Sequence, residues 1–238
     1  MALAPCAGPG SALGAVSAPR FVRVEDLYDY DAVRARDVAT AYVARVETAT
    51  LVLGGHQSST VLDPFEVANT PVRRRRGGGG LVLLRPDDLW IDWWIPHDDV
   101  RWSQDVRVSS LLVGSWWASV LRDRTQQPVH VYEGPLEGSL AYRVVCFAGR
   151  GPGEVFVRDR KTVGVTQWRV REGVFVSTVM HVDATTDVLN YLAEVPHGLA
   201  GALDHHTLTS LTIGDRDELV DELMAMSSPG DVQLHRIV

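Results

Sequence analysis

Four arginines, Arg73, Arg74, Arg75 and Arg76, run directly into four glycines, Gly77, Gly78, Gly79 and Gly80, in the stretch VRRRRGGGGLVLLRP at 72–86. Glycine has no Cβ, so consecutive backbone N–H groups can approach one ligand closely and form an anion-binding concavity. Arginine adds a fixed positive charge and paired donors that suit phosphate. The pattern predicts a cradle for a nucleotide phosphate or an acyl phosphate, and the alternative is a solvated basic loop.

Two common phosphate-binding motifs do not fit this stretch. No Gly-Lys-Ser/Thr follows the glycines, so the stretch is not a P-loop. No predicted helix opens after it, which also excludes the dinucleotide-binding fingerprint.

Lys161 is the second candidate, in the segment RDRKTVGVTQWR just after a predicted hairpin turn. Strand alternation places its side chain on the same side as Val163, Val165 and Gln167. If that side is buried, Lys161 is an unusual buried cation that either pairs with an anion or has a functional role. If that side is exposed, Lys161 is an ordinary solubilising lysine.

Cys146 is the third candidate, in CFAGRGPGEV, where a predicted strand ends before a glycine-rich loop. A single cysteine in a strand behaves most often as a small buried hydrophobic residue. At a strand end near cations, the same side chain could act as a nucleophile.

These residues must be positioned by a chain that alternates helices and short strands. The apolar spacing predicts helices over 25–47, 103–124, 186–195 and 215–226, with caps at Ser103, Thr186 and Asp215. Strands are predicted at 50–55, 71–76, 80–86, 88–96, 129–134 and 143–149, and as hairpins across 153–170 and 173–182 with turns near Asp159 and Glu172. The fold class is α+β, with a mostly antiparallel mixed sheet flanked by helices.

Composition limits the setting in which this chemistry occurs. The chain has 238 residues and a net charge of −7, which argues against a nucleic-acid partner. Cys6 and Cys146 are the only cysteines and form no disulfide framework, so we expect a cytoplasmic protein. No apolar run is long enough for a membrane span. The composition of residues 1–20 predicts a disordered tail and no signal peptide, and residues 21–238 are predicted to form one domain.

Three segments together resemble the lipoate–protein ligase and octanoyltransferase superfamily, whose catalytic fold is shared with biotin–protein ligase. They are VLGGHQ at 52–57, VRRRRGGGGLVLL at 72–84, and CFAGRGPGEVFVRDRKTVGVTQWR at 146–169. The family pattern has an Arg-Arg pair, a Ser and a glycine triplet, and later a Lys, two residues, a Gly and a small or polar residue. Here Arg76 replaces the Ser, Gly80 stands where Ala is frequent, and the His after the glycines is absent.

The resemblance implies an ATP-dependent ligase, with Mg²⁺, that attaches lipoate or octanoate to a lysine of a lipoyl carrier domain through an acyl-adenylate. The residues carried over for binding are Arg73, Arg74, Gly77 to Gly80, Gly164, Thr166 and Gln167. Lys161 would stabilise negative charge at the reacting carbonyl.

Cys146 carries a rival mechanism within the same superfamily. One octanoyltransferase branch has a cysteine in a similar Cys-Phe context before its Lys–x–x–Gly motif, and that cysteine forms an acyl-thioester. This route takes octanoate from acyl carrier protein and needs no ATP or other cofactor. Two further alternatives remain. One is a biotin ligase, and the other is a non-catalytic homologue that binds only acyl groups or carrier domains.

Overall fold

The computed structural model describes residues 25–182, 186–206, 216–227 and 233–237, which form two sheets and four α-helices. The strands are β1 (Glu25–Asp26), β2 (Thr40–Ala44), β3 (Thr50–Leu53), β4 (Val72–Arg74), β5 (Val82–Leu84), β6 (Leu89–Pro96), β7 (Val129–Val131), β8 (Val155–Val157), β9 (Arg160–Val170), β10 (Gly173–Met180) and β11 (Gln233–Ile237). The α-helices are α1 (Tyr30–Arg34), α2 (Val106–Arg124), α3 (Leu199–His206) and α4 (Arg216–Ser227).

The larger sheet has seven strands in the order β11-β2-β6-β10-β9-β8-β7. All its pairings are antiparallel except that of β11 with β2. The smaller sheet has the order β1-β4-β3-β5 and is mostly parallel. This arrangement confirms the predicted α+β class with a mixed sheet, and it adds a second sheet that the sequence pattern did not separate.

Strand β6 shows why the sequence around it is apolar without alternation. All eight of its residues are buried. Ile91, Trp93 and Ile95 pack against α2 and α4, whereas Trp90 and Trp94 pack on the opposite face against other clusters. A strand that is covered on both faces carries apolar residues on both, and only the buried Asp92 interrupts the hydrophobic run of β6.

The helix predicted over 25–47 is wrong for most of its length. Only Tyr30–Arg34 is helical, and Thr40–Ala44 forms β2, paired with Trp90 to Trp94 of β6. The β-branched and aromatic residues of β2 fit a buried pleated surface, and this tertiary pairing prevails over the helical spacing. Val38, which the helical pattern would bury, is 38% exposed.

The strand predicted over 143–149 is also wrong. Leu140–Val144 and Cys146–Ala148 are short 3₁₀ helices, and Val145 between them makes a single bridge to Leu81. Thr186–Tyr191 is likewise a 3₁₀ helix and not the start of an α-helix.

The other predicted elements are confirmed, including α2 and the two hairpins whose turns contain Asp159 and Glu172. Helix α2 is capped by the side chain of Asp105 and not by Ser103. The predicted cap at Asp215, the tail 1–20 and Cys6 lie outside the described residues.

Candidate active site between the two sheets

The glycine segment connects β4 to β5, which lie on opposite sides of β3. It packs backbone to backbone against a second glycine pair that follows β3: the N–H of Gly55 donates to the carbonyl of Gly77 at 2.8 Å. A Cβ on Gly54 would overlap the carbonyl oxygen of Gly79, and one on Gly80 would lie 2.6 Å from the carbonyl carbon of Val144. Most of these glycines are therefore required by the packing of the protein itself.

Gly78 differs from its neighbours because a Cβ built on it would have nothing within 4 Å. It lines an open cleft together with Gly79 and Gly80. Gly79 has a φ of +90°, a conformation that favours glycine. Backbone at Gly78 and Gly79 is thus accessible to a ligand in the cleft.

Arg75 holds the glycine segment in this shape. Its guanidinium donates to the carbonyls of Val52, Gly78 and Gly80, at 2.7 to 3.2 Å. The side chain is 4% exposed, and burial lowers the pKa of Arg75 from its ordinary value. The sequence pattern had not distinguished this arginine from the other three.

The remaining arginines of the run contact other parts of the protein. Arg73 forms a salt bridge with Glu25, and Arg76 forms one with Asp26 at 2.5 Å. Arg74 donates to the carbonyls of Gly54 and Gln57, at 2.9 and 2.6 Å. Arg73 and Arg74, which were predicted to bind the ligand, thus have protein partners in this structure.

Lys161 is on the buried side of its strand, with 2% exposure. Its Nζ lies 2.5 Å from the Oε1 of Glu154, and it donates to the carbonyls of Cys146 and Gly149 at 2.8 and 3.2 Å. The buried alternative considered for this lysine is the one the structure shows, and its anion is a carboxylate of the same chain. Glu154 was not identified from the sequence, although it lies seven positions before Lys161 in the same glycine-rich segment.

Cys146 begins a 3₁₀ turn and its backbone N–H donates to the carbonyl of Leu81 at 3.0 Å. Its Sγ lies 3.4 Å from the point where a Cβ on Gly79 would stand. The side chain is partly buried. The side chain of Cys146 therefore contacts the glycine segment, and its carbonyl oxygen accepts a hydrogen bond from Lys161.

Thr166 and Gln167, further along β9, connect the cleft to the rest of the fold. Thr166 donates from Oγ1 to the carbonyl of Gly78 at 3.1 Å. Gln167 donates to the carbonyl of Val106 at 2.5 Å and lies 3.0 Å from the hydroxyl of Ser110. A Cβ on Gly164 would lie 3.1 Å from the ring of Phe147, so a side chain at this position would displace that ring.

Part of this set of residues lines one cleft of about 620 Å³. The predicted site residues that are not among its lining residues are Arg73, Arg74, Gly77, Lys161 and Gly164. Arg143 and Arg150 are among its lining residues, and no salt bridge is found for either within the described part of the chain. The guanidinium of Arg150 lies 5.4 Å from the ring centroid of Phe156. The sequence-derived candidates that line the cleft are Gly78, Gly79, Gly80, Cys146, Thr166 and Gln167, and the residues that were missed are His56, Gln57, Glu137, Arg143, Arg150 and Glu154.

A smaller apolar cavity of about 30 Å³ lies beside the cleft. Cys146, Val165 and Thr166 line both spaces. The other walls of the small cavity are almost entirely apolar and include Val52, Val82, Leu84, Trp90, Phe147 and Val179. Its volume equals about one water molecule.

Metal-binding clusters and membrane-spanning helices are both absent from the described residues. No group of three or more His, Cys, Asp or Glu side chains there is arranged to hold a metal ion. Among the same residues, no helix has the length and apolar character needed to cross a membrane.

Sequence comparison finds no matching protein-family model and no matching curated protein. Structure comparison finds solved structures with the same fold. A lipoate-protein ligase A bound with ATP has a TM-score of 0.68 and 17% identity, over 91% of this chain and 89% of that one. A T. acidophilum protein assigned as a lipoate protein ligase, with bound lipoic acid, has a TM-score of 0.65 and 16% identity, over 88% and 82%.

A third structure comes from an archaeal lipoylation system, a bi-partite lipoate protein ligase and its E2 lipoyl domain from Thermoplasma acidophilum. It has a TM-score of 0.65 and 14% identity, over 91% of this chain and 87% of that one. These likenesses extend over at least 82% of both chains in each comparison, and they show that this chain has the lipoate–protein ligase fold.

Proposed function

We propose that this protein is a lipoate–protein ligase-like enzyme that attaches a lipoyl or octanoyl group to a lysine of a lipoyl carrier domain through an acyl-adenylate. The observation that carries the proposal is the cleft of about 620 Å³ bounded by the glycine segment and by Thr166 and Gln167 of β9. A space of this size is typical of small-molecule and cofactor sites. The proposed catalytic domain is 21–238.

Charge in the cleft supports a phosphate-containing ligand. Arg143 and Arg150 line the same cleft as the accessible backbone of Gly78 and Gly79. ATP would supply the activation of the carboxylate, and Mg²⁺ would arrive with it, held mainly by the phosphates. The bound ATP, lipoic acid and lipoyl domain in structures of the same fold are consistent with these ligands and with this partner.

The acyl chain is assigned to the small apolar cavity, because that cavity opens beside Cys146 and has few polar atoms in its walls. Its present volume of about 30 Å³ is too small for an eight-carbon chain. Acyl binding therefore requires side chains such as Val82 and Val179 to move apart. Lys161, under the floor, would neutralise negative charge at the acyl carbonyl and phosphate.

The ligase proposal is tested with the purified protein, lipoate, Mg-ATP and a lipoyl domain. We expect the intact mass of the lipoyl domain to increase by one lipoyl group only when ATP is present. A lipoyl domain whose acceptor lysine is replaced by arginine is the negative control, and biotin in place of lipoate tests the biotin-ligase alternative. Transfer without ATP from octanoyl carrier protein, with none from lipoate and ATP, would reject the adenylate route.

The second candidate function is Cys-dependent octanoyl transfer from acyl carrier protein. The observation in its favour is that Cys146 lies at the junction of the two cavities and meets Gly79. In this route the Cys146 sulfur attacks the donor thioester, the carrier thiol leaves, and the acceptor amine then displaces Cys146 and releases its proton to solvent. No ATP is consumed.

Cys146→Ser separates the two routes. If the adenylate route operates, the serine variant keeps most of its ATP-dependent transfer, because that route needs no sulfur nucleophile. If the thioester route operates, transfer from octanoyl carrier protein is lost, because serine without a base is a poor nucleophile. An octanoyl adduct on the wild type that disappears in the variant establishes the thioester route, and ligand binding without turnover by either route indicates a non-catalytic homologue.

A further inference from the structure

Lys161 is the only lysine in the chain, whose lysines and arginines total 23. An ammonium group has three N–H donors, and those of Lys161 have three oxygen partners: Oε1 of Glu154 and the carbonyls of Cys146 and Gly149. The ring of Phe147 adds a fourth contact, with its centroid 4.9 Å from Nζ. The single side-chain amine of the protein is therefore saturated with hydrogen-bond acceptors.

Glu154 is the only charged member of this set of partners. Its side chain is 6% exposed, and its Oε2 accepts a hydrogen bond from the N–H of Gly151 at 2.7 Å. Burial raises the pKa of Glu154, and the nearby Lys161 charge and the backbone donors oppose that effect. The carboxylate is thus fixed at both oxygens, one on the backbone of its own loop and one on Lys161.

Lys161 is not among the residues that line the cleft, but its three oxygen partners belong to residues that are. An Nζ released from them would therefore be close to the activated acyl group proposed for the cleft. A neutral Nζ would attack an activated acyl group: the Nζ–acyl bond would form, the acyl–phosphate bond would break with release of AMP, and the displaced amine proton would pass to solvent. The product would be an enzyme blocked at the centre of its own site. An ammonium has no lone pair and cannot react in this way.

We propose that Glu154 is a positioning residue that keeps the only lysine of this protein as a hydrogen-bonded ammonium, available as a charge but protected from acylation. The identity of the natural acyl donor rests on the proposed function. The protection itself follows from the geometry of the buried pair. Arginine, which supplies all the other residues among the 23 lysines and arginines, keeps its proton and is not an acyl acceptor under these conditions.

The test measures the acetylation rate of Lys161 by sulfosuccinimidyl acetate near neutral pH, followed by intact-mass and peptide mass spectrometry of the full chain. Because there is one lysine, a second acetyl group beyond that on the N-terminal amine reports Lys161 directly. In Glu154→Gln we expect the rate to rise about tenfold or more over wild type, the ratio expected for the loss of one hydrogen bond to a charged group. Glu133→Gln, an exposed carboxylate outside the cleft lining, should change the rate by less than about twofold.

A destabilised control separates protection by Glu154 from general loosening. Leu223→Ala removes a buried side chain of α4 that is not among the contacts of Lys161, so Lys161 should stay as protected as in the wild type while the fold is weakened. Equal rates in wild type and Glu154→Gln, or an equal increase in Leu223→Ala, would overturn the proposal. If Glu154→Gln does not fold, Glu154→Asp, which keeps the charge but shortens its reach, replaces it, and an unchanged rate there also overturns the proposal.

The labelling experiment needs neither lipoate nor ATP, so its result stands even if lipoyl transfer is not found. If transfer occurs, lipoate with Mg-ATP provides a second measurement on the same variants. Glu154→Gln should then accumulate one lipoyl group on Lys161, and the wild type should not. Active wild-type enzyme with no lipoyl adduct on a folded Glu154→Gln variant would reject the protective role and leave the proposed function intact.

Discussion

At the scale of single residues, the four consecutive arginines have unequal structural roles. Arg75→Lys replaces a planar group that donates to three carbonyls by an ammonium that cannot reach the same set, so we expect the free energy of unfolding to fall by about 2–4 kcal/mol. Arg73→Lys keeps a partly exposed salt bridge with Glu25 and should change the free energy of unfolding by less than about 0.5 kcal/mol. Urea denaturation of both variants checks this, and equal effects would show that Arg75 does not hold the glycine segment.

Asp92 gives the stability of the protein a dependence on pH. It is fully buried in β6, accepts hydrogen bonds from the Tyr28 hydroxyl and the Thr178 N–H, and has its pKa raised to about 7 by burial. The unfolded carboxyl ionises at about pH 4, so between about pH 4 and pH 7 the native state binds more protons than the unfolded state. The contribution of Asp92 to the free energy of unfolding therefore decreases by about 1.4 kcal/mol for each unit by which the pH rises.

Asp92→Asn should remove that slope. Relative to the wild type, the variant should gain stability from pH 4 to pH 7, because the asparagine cannot ionise and still offers an oxygen to Thr178. Urea denaturation at several pH values gives the difference directly. A constant difference across this range would mean that the Asp92 carboxyl is ionised in the native protein throughout.

At the scale of elements, the glycine segment between β4 and β5 combines a structural and a ligand-facing role, and alanine substitutions separate them. Gly80→Ala would place a Cβ against the backbone of Val144 and should lower the free energy of unfolding by more than about 2 kcal/mol. Gly78→Ala has open space and should leave stability within about 1 kcal/mol while it weakens transfer, because the added methyl group lies in the cleft. Unchanged transfer in Gly78→Ala would show that the ligand does not approach this part of the backbone.

At the scale of the whole molecule, the cleft is formed by both sheets, so a ligand that fills it should stabilise the whole fold. Lipoate and Mg-ATP, each at about a hundred times its dissociation constant, should each add about 2.7 kcal/mol, which raises Tm by several degrees in a chain of this length. Thermal denaturation monitored by circular dichroism measures the shift, with ATP alone, lipoate alone and biotin as controls. A shift produced equally by biotin would favour the biotin-ligase alternative.

The sequence by itself determined the elements whose patterns are local and strong. The presence of helix α2, the apolar run of β6 and the hairpin turn before Lys161 were all read correctly, because hydrophobic content and turn residues act over a few positions. The Arg–Gly segment and the strand that carries the Lys–x–x–Gly segment come from different sheets, and the Thr166–Gly78 hydrogen bond joins them. Their shared role in a site came only from the resemblance to a family and stays a prediction.

Only the tertiary structure decided which charges are available at the site. Four adjacent arginines look alike in sequence, yet β-strand pairing buries Arg75 among carbonyls and leaves Arg73 and Arg76 with carboxylates of β1. In the larger sheet, residues 40–44, which were predicted to be helical, form β2, because burial of this segment against β6 outweighs the helical spacing of its apolar residues. The pairing of Glu154 with Lys161 could not be predicted from the sequence for a related reason. The two side chains meet across a hairpin that contains a β-bulge, and both are buried only in the folded chain.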